Sequence, residues 1–420
     1  METVPRHLAA LLREQDPADG VVGLVGPRRS GKTTLAERIL PQAMGREVRT
    51  ISFDDPDERL RFKDSLIPSL RGALAQITVL DEVHKAPYVL DGAKVLFDRG
   101  ELKRTLMILT GSSQILMLKE IKETLAGRIS LFELFPFSAA EVNGTRLQDT
   151  VLHRAWREGV FDLQDAQRRA SAPMEEIRKR RSTTDLLLRW GGYPPVVLQK
   201  DPQKRELWLR NYRRTYVERD VPDAGGVGDE ETFLRVMELL ALRSSNLLSY
   251  SDVARDAGCS PHTVKRYLKV MEITFQAGRL SPYHPNVTKR LVKAPKAFCT
   301  DTGVLDVITK GNVSPGALFE TFLYSELLKW NSHAALDVDI LFYRTAAGME
   351  VDFVLSRDNR LLPLEAKTTE NPDRKHCRSL RRFLEEYGNQ APFGILVHKG
   401  NVVKELAPRI FGVPAWLLLG

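Results

Sequence analysis

The sequence predicts an α/β protein built from several domains. The chain has 420 residues, and at roughly 100–200 residues per domain this length predicts about three of them. Hydrophobic residues make up 43% and charged residues 28%, which is an ordinary globular composition. Residues 1–140 alternate nearly continuous apolar runs with helical patterns. That alternation is typical of a parallel sheet covered by helices on both faces.

Four segments follow from the change of pattern along the chain. The candidate strands of segment 1–140 are VVGLV (21–25), VRTISF (48–53), ITVLD (77–81), TLMILT (105–110) and ISLFEL (129–134). Residues 141–232 are charged and helix-rich, which predicts a helical lid or linker. Residues 233–305 predict a compact helical unit with a short β segment, and residues 306–420 return to an α/β pattern.

Several function classes are disfavoured by composition. No apolar run approaches the ~18–20 residues that a membrane-spanning helix needs, so no membrane partner is expected. The first 20 residues lack the apolar core of a signal peptide. The three cysteines, Cys259, Cys299 and Cys377, fit neither a zinc pattern nor a disulfide framework. We therefore expect a cytoplasmic protein.

The positive charge is concentrated in one segment. The net charge is +8, and residues 261–300 hold eight basic residues against the single acid Glu272. A focused basic patch is typical of a polyanion binder, whereas the alternative is a solvated basic face. The eight residues are Lys265, Arg266, Lys269, Arg279, Lys289, Arg290, Lys293 and Lys296.

The stretch GPRRSGKT, residues 26–33, fits the pattern G-x-x-x-x-G-K-[ST] and lies between a predicted strand and a predicted helix. Its glycines let backbone N–H groups turn toward phosphates, Lys32 reaches the β- and γ-phosphates, and Thr33 offers a hydroxyl to Mg²⁺. The sequence therefore predicts ATP and Mg²⁺ as cofactors. The candidate contacts are Gly26, Pro27, Arg28, Arg29, Ser30, Gly31, Lys32, Thr33 and Thr34.

Further candidate residues follow later strands of the same unit. Asp81 at the tip of ITVLD can hold Mg²⁺, and Glu82 is placed to polarise the attacking water. Ser112, after the strand that ends at Thr110, is a candidate sensor of the γ-phosphate. Arg128 could stabilise developing charge, either in its own chain or in a neighbouring copy. The second alternative would make the protein a homo-oligomer.

Residues 249–271 predict two helices joined by a tight turn. Ala254, Gly258 and Val264 have the spacing of a helix-turn-helix, and Ser260 is placed to cap the second helix. The start of that helix would meet DNA, and FCTDTG (298–303) would be a wing. The alternative is a protein-contact module. The candidate DNA contacts are His262, Thr263, Lys265, Arg266, Lys269, Lys289, Arg290 and Lys293.

The segment GMEVDFVLSRDNRLLPLEAK, residues 348–367, predicts a β-hairpin with acids at alternate positions. Glu350 and Asp352 share a face, as do Glu365 and Lys367. Asp352 and Glu365 could bind Mg²⁺, with Lys367 orienting a water molecule. Glu320 on the preceding helix would supply a third carboxylate, with Glu326 as a fallback. The alternative is a cross-strand ladder of charge pairs.

In combination these segments resemble a prokaryotic family of AAA-type P-loop ATPases with a winged helix and a C-terminal nuclease-like domain of the PD-(D/E)xK superfamily. The residues that carry the resemblance include GPRRSGKTTL, TVLDEVHKAP, LAGRISLFELFPFS, GGYPPVV, APKAFCTDTGVL, EVDFVL and PLEAK. It implies ATP binding at residues 26–33, Mg²⁺ at Thr33 and Asp81, and a restriction-endonuclease-like fold with Asp352, Glu365 and Lys367 at its core.

The sequence thus predicts a P-loop NTPase domain (1–140), a helical lid (141–232), a winged helix (233–305) and a nuclease-like domain (306–420). The function it favours is ATP-dependent control of DNA binding and of a nuclease-like site. Two alternatives stay open. One is an ATP-dependent DNA-binding switch whose C-terminal domain does not cut, and the other is a protein-remodelling ATPase.

Overall fold

The computed structural model describes residues 4–14, 20–111, 124–225, 227–285 and 294–420. Segment 1–140 contains a five-stranded sheet in the order β2-β3-β4-β1-β5, with every neighbouring pair parallel. The apolar runs of the sequence place all five strands within a residue of their observed bounds. The strands are β1 Val21–Val25, β2 Val48–Ser52, β3 Ile77–Asp81, β4 Leu106–Thr110 and β5 Ile129–Glu133.

Helices cover both faces of this sheet, as the buried apolar strands require. Two separate hydrophobic clusters lie on its two sides, one around Leu24 and Ile108 and the other around Leu80 and Leu109. The helices are α1 His7–Arg13, α2 Lys32–Thr34, α3 Leu40–Met44, α4 Pro56–Asp64, α5 Leu66–Ala73 and α6 Val89–Asp98. A π-helical turn, Leu35–Ile39, joins α2 to α3.

Residues 139–273 are helical throughout their regular elements. These helices are α7 Ala139–Asn143, α8 Val151–Glu158, α9 Leu163–Ala170, α10 Met174–Trp190, α11 Pro194–Val197, α12 Pro202–Thr215, α13 Val221–Ala224, α14 Glu230–Leu242, α15 Tyr250–Ala257 and α16 Pro261–Ile273. Side-chain oxygens cap many of them, as at Ser260, whose Oγ accepts from the Thr263 N–H at 3.1 Å.

A second sheet of eight strands follows, in the order β12-β13-β11-β10-β9-β8-β6-β7. Its strands are β6 Ala277–Pro282, β7 Lys296–Cys299, β8 Asp339–Arg344, β9 Glu350–Arg357, β10 Arg360–Lys367, β11 Gly394–His398, β12 Lys404–Ala407 and β13 Ile410–Pro414. The accompanying helices are α17 Thr302–Thr309, α18 Pro315–Ala334, α19 Arg378–Tyr387 and α20 Ala415–Leu418.

The cores divide the predicted lid into two parts. Side chains from residues 151–188, such as Trp156 and Leu187, belong to the same cluster as Phe322 of α18 and Phe353 of β9. Side chains from residues 193–221 instead pack with helices α14–α16 in another cluster. The first part therefore packs on the second sheet, and the second part on the helical unit.

The segment that the sequence assigns to a wing, 298–303, overlaps β7, which belongs to the second sheet. Strands β6 and β7 are antiparallel, and β6 also pairs in parallel with β8 through Ser281–Leu341 and Pro282–Phe342. The helical unit is thereby continuous with the C-terminal sheet by backbone hydrogen bonding.

Across the residues that the structure describes, we find no helix whose length and apolar character would let it cross a bilayer.

Candidate nucleotide and metal sites

The loop between β1 and α2 has the backbone shape of a phosphate cradle. The dihedral φ is positive at Gly26 (151°), Arg29 (67°) and Gly31 (99°). A Cβ atom at Gly26 would lie 2.3 Å from the Leu134 carbonyl oxygen, so that position excludes a larger residue. The Lys32 Nζ donates to the carbonyls of Gly26 and Pro27, each at 3.0 Å. The loop therefore closes around its own lysine.

All the candidate nucleotide contacts lie together at the carboxyl end of β1 and the start of α2. The side chain of Lys32 is buried within the loop, whereas Thr33 and Thr34 are exposed. The Thr33 and Thr34 side chains are therefore open to solvent at the start of α2.

Asp81 ends β3 beside the end of β4, where the Thr110 hydroxyl donates to its Oδ1. Burial raises the pKa of Asp81, while the Thr110 hydrogen bond and the Lys32 ammonium act in the opposite direction. A half-buried carboxylate within the field of the P-loop lysine has the chemistry of a Mg²⁺ ligand. Thr33 and Asp81 are the two side chains that would hold that ion.

Glu82 adopts a left-handed backbone conformation, with φ of 54°, directly after β3. Non-glycine residues in this region cluster at functional sites because the surrounding structure must compensate their strain. The Glu82 Oε2 lies 3.1 Å from the His84 Nδ1. The predicted role of Glu82 in polarising water stays a prediction.

Two further candidates of the first unit are Arg128 and Ser112. Arg128 precedes β5 and so lies at the amino edge of the parallel sheet, opposite the P-loop, where its Nε donates to Asp98 at 2.6 Å. This position disfavours a role at the nucleotide of its own chain, because five-residue strands separate the two edges. Ser112 lies outside the described residues.

Sequence reasoning missed a buried ion pair that supports the P-loop. Arg6 donates through Nη1 to the Ser30 carbonyl at 2.8 Å and through Nε to Glu141 Oε1 at 3.1 Å. Burial opposes ionisation of Glu141, but Arg6 and the nearby histidines outweigh it and lower its pKa to about 2. The partners lie 135 positions apart, so their pairing has no local signal. The capping pattern at Ser138–Glu141 shows only that a helix starts there.

His7 and His333 adjoin the same carboxylate. Among the residues that the structure describes, only His7, Glu141 and His333 bring three metal-donor atoms within 4.8 Å of one another. Burial lowers the pKa of His333 to about 3, so this imidazole is neutral at ordinary pH. Arg6 already neutralises Glu141, and an added cation would face its guanidinium at close range.

The second candidate site is formed by carboxylates on β9, β10 and α18. Asp352 and Glu365 are 7% and 4% exposed. The Ala366 N–H donates to Asp352 Oδ2 at 2.8 Å, which joins the two strands at this point, and Lys367 Nζ donates to Glu365 Oε1 at 2.7 Å. The structure thus brings Asp352, Glu365 and Lys367 together.

Burial and mutual repulsion raise the proton affinity of these acids. Burial raises the pKa of Glu320 to about 7 and that of Glu365 to about 8, and the negative charge of Asp352 adds to both shifts. The Glu365 Oε2 is buried without a hydrogen-bond partner. Hard oxygen donors that are buried with excess negative charge fit a divalent cation such as Mg²⁺ or Mn²⁺.

Of the two acids considered on α18, Glu320 is the one at this site. Glu326 instead binds the Ala139 N–H at 2.8 Å and Lys329 Nζ at 2.7 Å, where α18 packs against α7. Glu320 and Glu326 are six residues apart on α18, so they point in different directions around the helix.

Lys296 is the clearest departure from the sequence interpretation. The basic excess of residues 261–300 predicts a solvent-facing patch that includes this lysine. In the structure Lys296 is 2% exposed, and its Nζ forms an ion pair with Glu350 and lies 3.5 Å from Glu320 Oε2. At 3.5 Å the Lys296 ammonium partly neutralises the charge of Glu320, but Glu320 Oε2 accepts no hydrogen bond. Lys296 is therefore part of the carboxylate cluster.

The second helix of the predicted helix-turn-helix exposes the expected polar face. His262, Lys265, Arg266 and Lys269 are exposed on α16, and Thr263 is half-buried. Val264 is fully buried on the opposite side, and Gly258 has φ of 72° in the turn before α16. Lys289, Arg290 and Lys293 lie outside the described residues.

Family models cover most of the chain in three parts. Residues 18–143 match the model of an AAA domain. The first unit is an AAA-type P-loop ATPase domain. Residues 181–312 and 315–418 match two domains of unknown function, DUF8612 and DUF4143. The AAA domain carries the cradle around Lys32, and the third matched segment carries Glu320, Asp352 and Glu365.

Curated relatives extend along nearly the whole chain. An uncharacterized protein of Mycobacterium tuberculosis is 27% identical over 421 residues, which span 98% of this chain and 83% of the relative. An uncharacterized protein of Haemophilus influenzae is 23% identical over 390 residues, which span 88% and 87%. The first similarity, at 98% of this chain, includes both the AAA domain and the C-terminal sheet.

Two solved structures resemble parts of the chain at low identity. The RuvB Holliday junction branch migration motor of Thermotoga maritima has a TM-score of 0.26 and 16% identity, covering 64% of this chain and 87% of its own. AMPPCP-bound DnaA from Aquifex aeolicus has a TM-score of 0.23 and 17% identity, covering 63% and 85%.

Proposed function

We propose that this protein hydrolyses ATP at the P-loop of its AAA domain and uses the nucleotide state to control a DNA-binding winged helix and a metal-dependent nuclease-like site. The observation that supports the proposal is the coexistence of a P-loop and a buried carboxylate cluster in one chain. One is the Lys32 cradle with Asp81 beside it, and the other is the buried cluster of Glu320, Asp352 and Glu365.

In the AAA domain, different residues bind the phosphates, orient the water and hold the metal ion. Backbone N–H groups of residues 26–33 and the Lys32 ammonium bind the phosphates, and Glu82 orients the attacking water. Thr33 and Asp81 hold Mg²⁺, which supplies charge neutralisation for the phosphates when it is bound. Arg128 acts on a neighbouring copy, since its own P-loop lies at the far edge of the sheet.

In the C-terminal domain, Asp352 and Glu365 hold the divalent cation with Glu320 as a third ligand. When it is bound, this ion lowers the pKa of a water molecule and polarises a phosphodiester. Lys367, already bonded to Glu365, orients that water. The exposed basic face of α16 holds the DNA backbone nearby, because Lys and Arg neutralise phosphates irrespective of sequence.

ATP hydrolysis is tested by phosphate release with Lys32→Ala. We expect the variant to lose nucleotide binding and at least about 100-fold in rate, because the lysine contacts the transferred phosphoryl group. Lys63→Ala, which removes an exposed lysine on α4, is the matched control. Tight ATP binding by Lys32→Ala would overturn the P-loop assignment.

Nuclease activity is tested by incubating single-stranded DNA, double-stranded DNA and RNA with Mg²⁺ or Mn²⁺, with and without ATP. We expect cleavage that Asp352→Asn abolishes and Asp358→Asn leaves unchanged. Asp358 is a suitable control because its side chain is exposed in the turn after β9. Equal cleavage by both variants would assign the activity to a contaminant or to another site.

A second candidate function is an ATP-dependent DNA-binding switch whose C-terminal domain does not cut. The ion pair of Lys296 with Glu350 favours it, because an internal cation already neutralises part of the cluster. DNA binding that responds to ATP, together with no cleavage under any metal condition, would select this candidate.

A further inference from the structure

The carboxylate cluster receives one side chain from outside segment 315–418, which carries its other charged groups. Lys296 starts β7, at the end of the helical unit, and reaches Glu350 and Glu320 while remaining buried. Its ammonium also lies 5.6 Å from the centre of the Phe342 ring on β8. The contacts with Glu350, Glu320 and Phe342 hold the Lys296 ammonium inside the cluster, away from solvent.

The backbone around Lys296 is anchored to the helical unit. Lys296 pairs with Leu280 of β6 and forms a bridge with Leu247, which lies between α14 and α15. Nearby, the Leu248 N–H donates to the Pro295 carbonyl at 2.8 Å. Any displacement of the helix-turn-helix together with β6 and β7, relative to strands β8–β13, would therefore move this lysine with it.

The balance of charges in the cluster shows what the Lys296 ammonium does there. Glu320, Glu350, Asp352 and Glu365 bring four carboxylates into the cluster, and Lys296 and Lys367 bring two ammonium groups. Buried charge is costly unless it is compensated, and metal ligands must be deprotonated. With all four carboxylates ionised, their excess over Lys296 and Lys367 is two negative charges, which equals the charge of one divalent cation. Arg344 adds a further contact to Glu350 from the exposed edge, at 3.0 Å.

The arrangement of donor atoms agrees with this count. Among the described residues, the four carboxylates do not bring three donor atoms within 4.8 Å of one another. Lys296 lies between Glu350 and Glu320, where it takes the place of a cation that would otherwise draw these two together. Asp352 and Glu365, which are joined across β9 and β10, stay available for a metal ion, and so does Glu320, whose Oε2 accepts no hydrogen bond from Lys296.

We propose that Lys296 is a positioning residue that serves as a built-in cation of this cluster and limits it to a single divalent ion. The proposal rests on the proposed function only in that the cluster binds a divalent cation. Since the helical unit supplies the lysine, the metal capacity of the C-terminal site depends on how that unit is docked.

The experiment is a calorimetric titration of the full, nucleotide-free chain with Mn²⁺ alone. We expect the wild type to bind one Mn²⁺ at the cluster, recognised as the binding that Asp352→Asn removes. Lys296→Met keeps a long apolar stem and deletes the charge. We expect this variant to bind two Mn²⁺ ions at the cluster, the first on the order of tenfold more tightly.

Two control variants separate charge from structure. Lys296→Arg keeps the positive charge and should retain one Mn²⁺. Lys200→Met removes an exposed lysine just before α12, outside both sites and the α16 face, and should match the wild type. Equal stoichiometry and affinity in the wild type and Lys296→Met would overturn the role of Lys296 while leaving the metal site intact.

Other outcomes separate this inference from the proposed function. Absence of any Mn²⁺ binding that Asp352→Asn removes would refute the metal site itself. Should Lys296→Met not fold, the wild type still decides, because two ions bound at the cluster of the wild-type chain would overturn the single-ion limit and one would support it.

Discussion

The P-loop and the carboxylate cluster of this protein are built in opposite ways. The P-loop takes its lysine, glycines and threonines from nine consecutive residues, 26–34, and only Asp81 comes from another strand. The carboxylate cluster takes its charged groups from β7, α18, β9 and β10. A local site is specified by its own backbone, whereas the cluster exists only when distant segments pack correctly.

The two sites also differ in how their charges are compensated. In the P-loop, the Lys32 ammonium binds backbone carbonyls that any sequence provides. In the cluster, each ammonium is bound to a carboxylate, so every charge depends on a particular side chain. We therefore expect single substitutions to act through backbone shape at the P-loop and through charge at the carboxylate cluster.

Gly26→Ala should have the largest effect on stability among the variants discussed here. Its Cβ would lie 2.3 Å from the backbone oxygen of Leu134 at a φ of 151°, so the loop or β5 must move. We expect a loss of about 3 kcal/mol or more in the free energy of unfolding, measured by urea denaturation. Gly72→Ala is the matched control, because no atom lies within 4 Å of its Cβ and α5 should gain about 0.5–1 kcal/mol.

Sequence reasoning predicted the local P-loop better than the assembled carboxylate cluster. The strands of the AAA domain and the P-loop were predictable because each depends on a continuous pattern. Lys296 was misjudged because a count of basic residues cannot tell a buried lysine from an exposed one. The Arg6–Glu141 pair was missed because its partners are distant in sequence. Position 296 does carry a local signal, since the lysine stands next to the apolar strand residues Ala297 and Phe298.

Asp352→Asn tests the assembled site without a large change of shape. The amide oxygen can still accept from the Ala366 N–H, and one of several like charges is removed. We therefore expect the metal-free variant to be at least as stable as the wild type. At 100 times its dissociation constant, Mn²⁺ should stabilise the wild type by about 2.7 kcal/mol and the variant hardly at all, as thermal melts would show.

Asp358→Asn should keep the full stabilisation by Mn²⁺, because Asp358 is exposed away from the cluster. If Asp352→Asn kept it too, the cluster would be a set of charge pairs with no metal function.

Helix α18 connects the two sites physically. Glu320 lies in its first half at the cluster, and His333 lies near its end beside Glu141, whose partner Arg6 binds the P-loop carbonyl of Ser30. Thirteen residues of helix span about 20 Å. A shift of the P-loop could therefore reach the cluster through one rigid element, with the buried Arg6–Glu141 pair at the junction.

The buried His333 beside Glu141 makes the free energy of unfolding depend on pH. Burial lowers the pKa of His333 from 6.5 to about 3, so the unfolded chain takes up a proton that the folded chain excludes. Stability should be complete above pH 6.5 and decline as the pH falls toward 3. From pH 8 to pH 5 this single group should cost about 2 kcal/mol, measured by denaturation at each pH.

His333→Gln should remove this part of the acid sensitivity, whereas His262→Gln, on the exposed face of α16, should keep it. An unchanged pH profile in His333→Gln would show that the junction does not exclude the proton.

The smallest expected effect concerns the exposed face of α16, in the unit that supplies Lys296. Lys265→Ala and Arg266→Ala should each weaken DNA binding about equally for all sequences and lower the slope of log K against log salt by about 1, if each residue holds one phosphate. Lys200→Ala, which removes another exposed lysine, should leave the slope unchanged. Fluorescence anisotropy at several salt concentrations measures this. If none of the three variants changes the slope, α16 would be a protein-contact surface. The metal capacity that depends on Lys296 would then respond to the docking of a protein partner rather than of DNA.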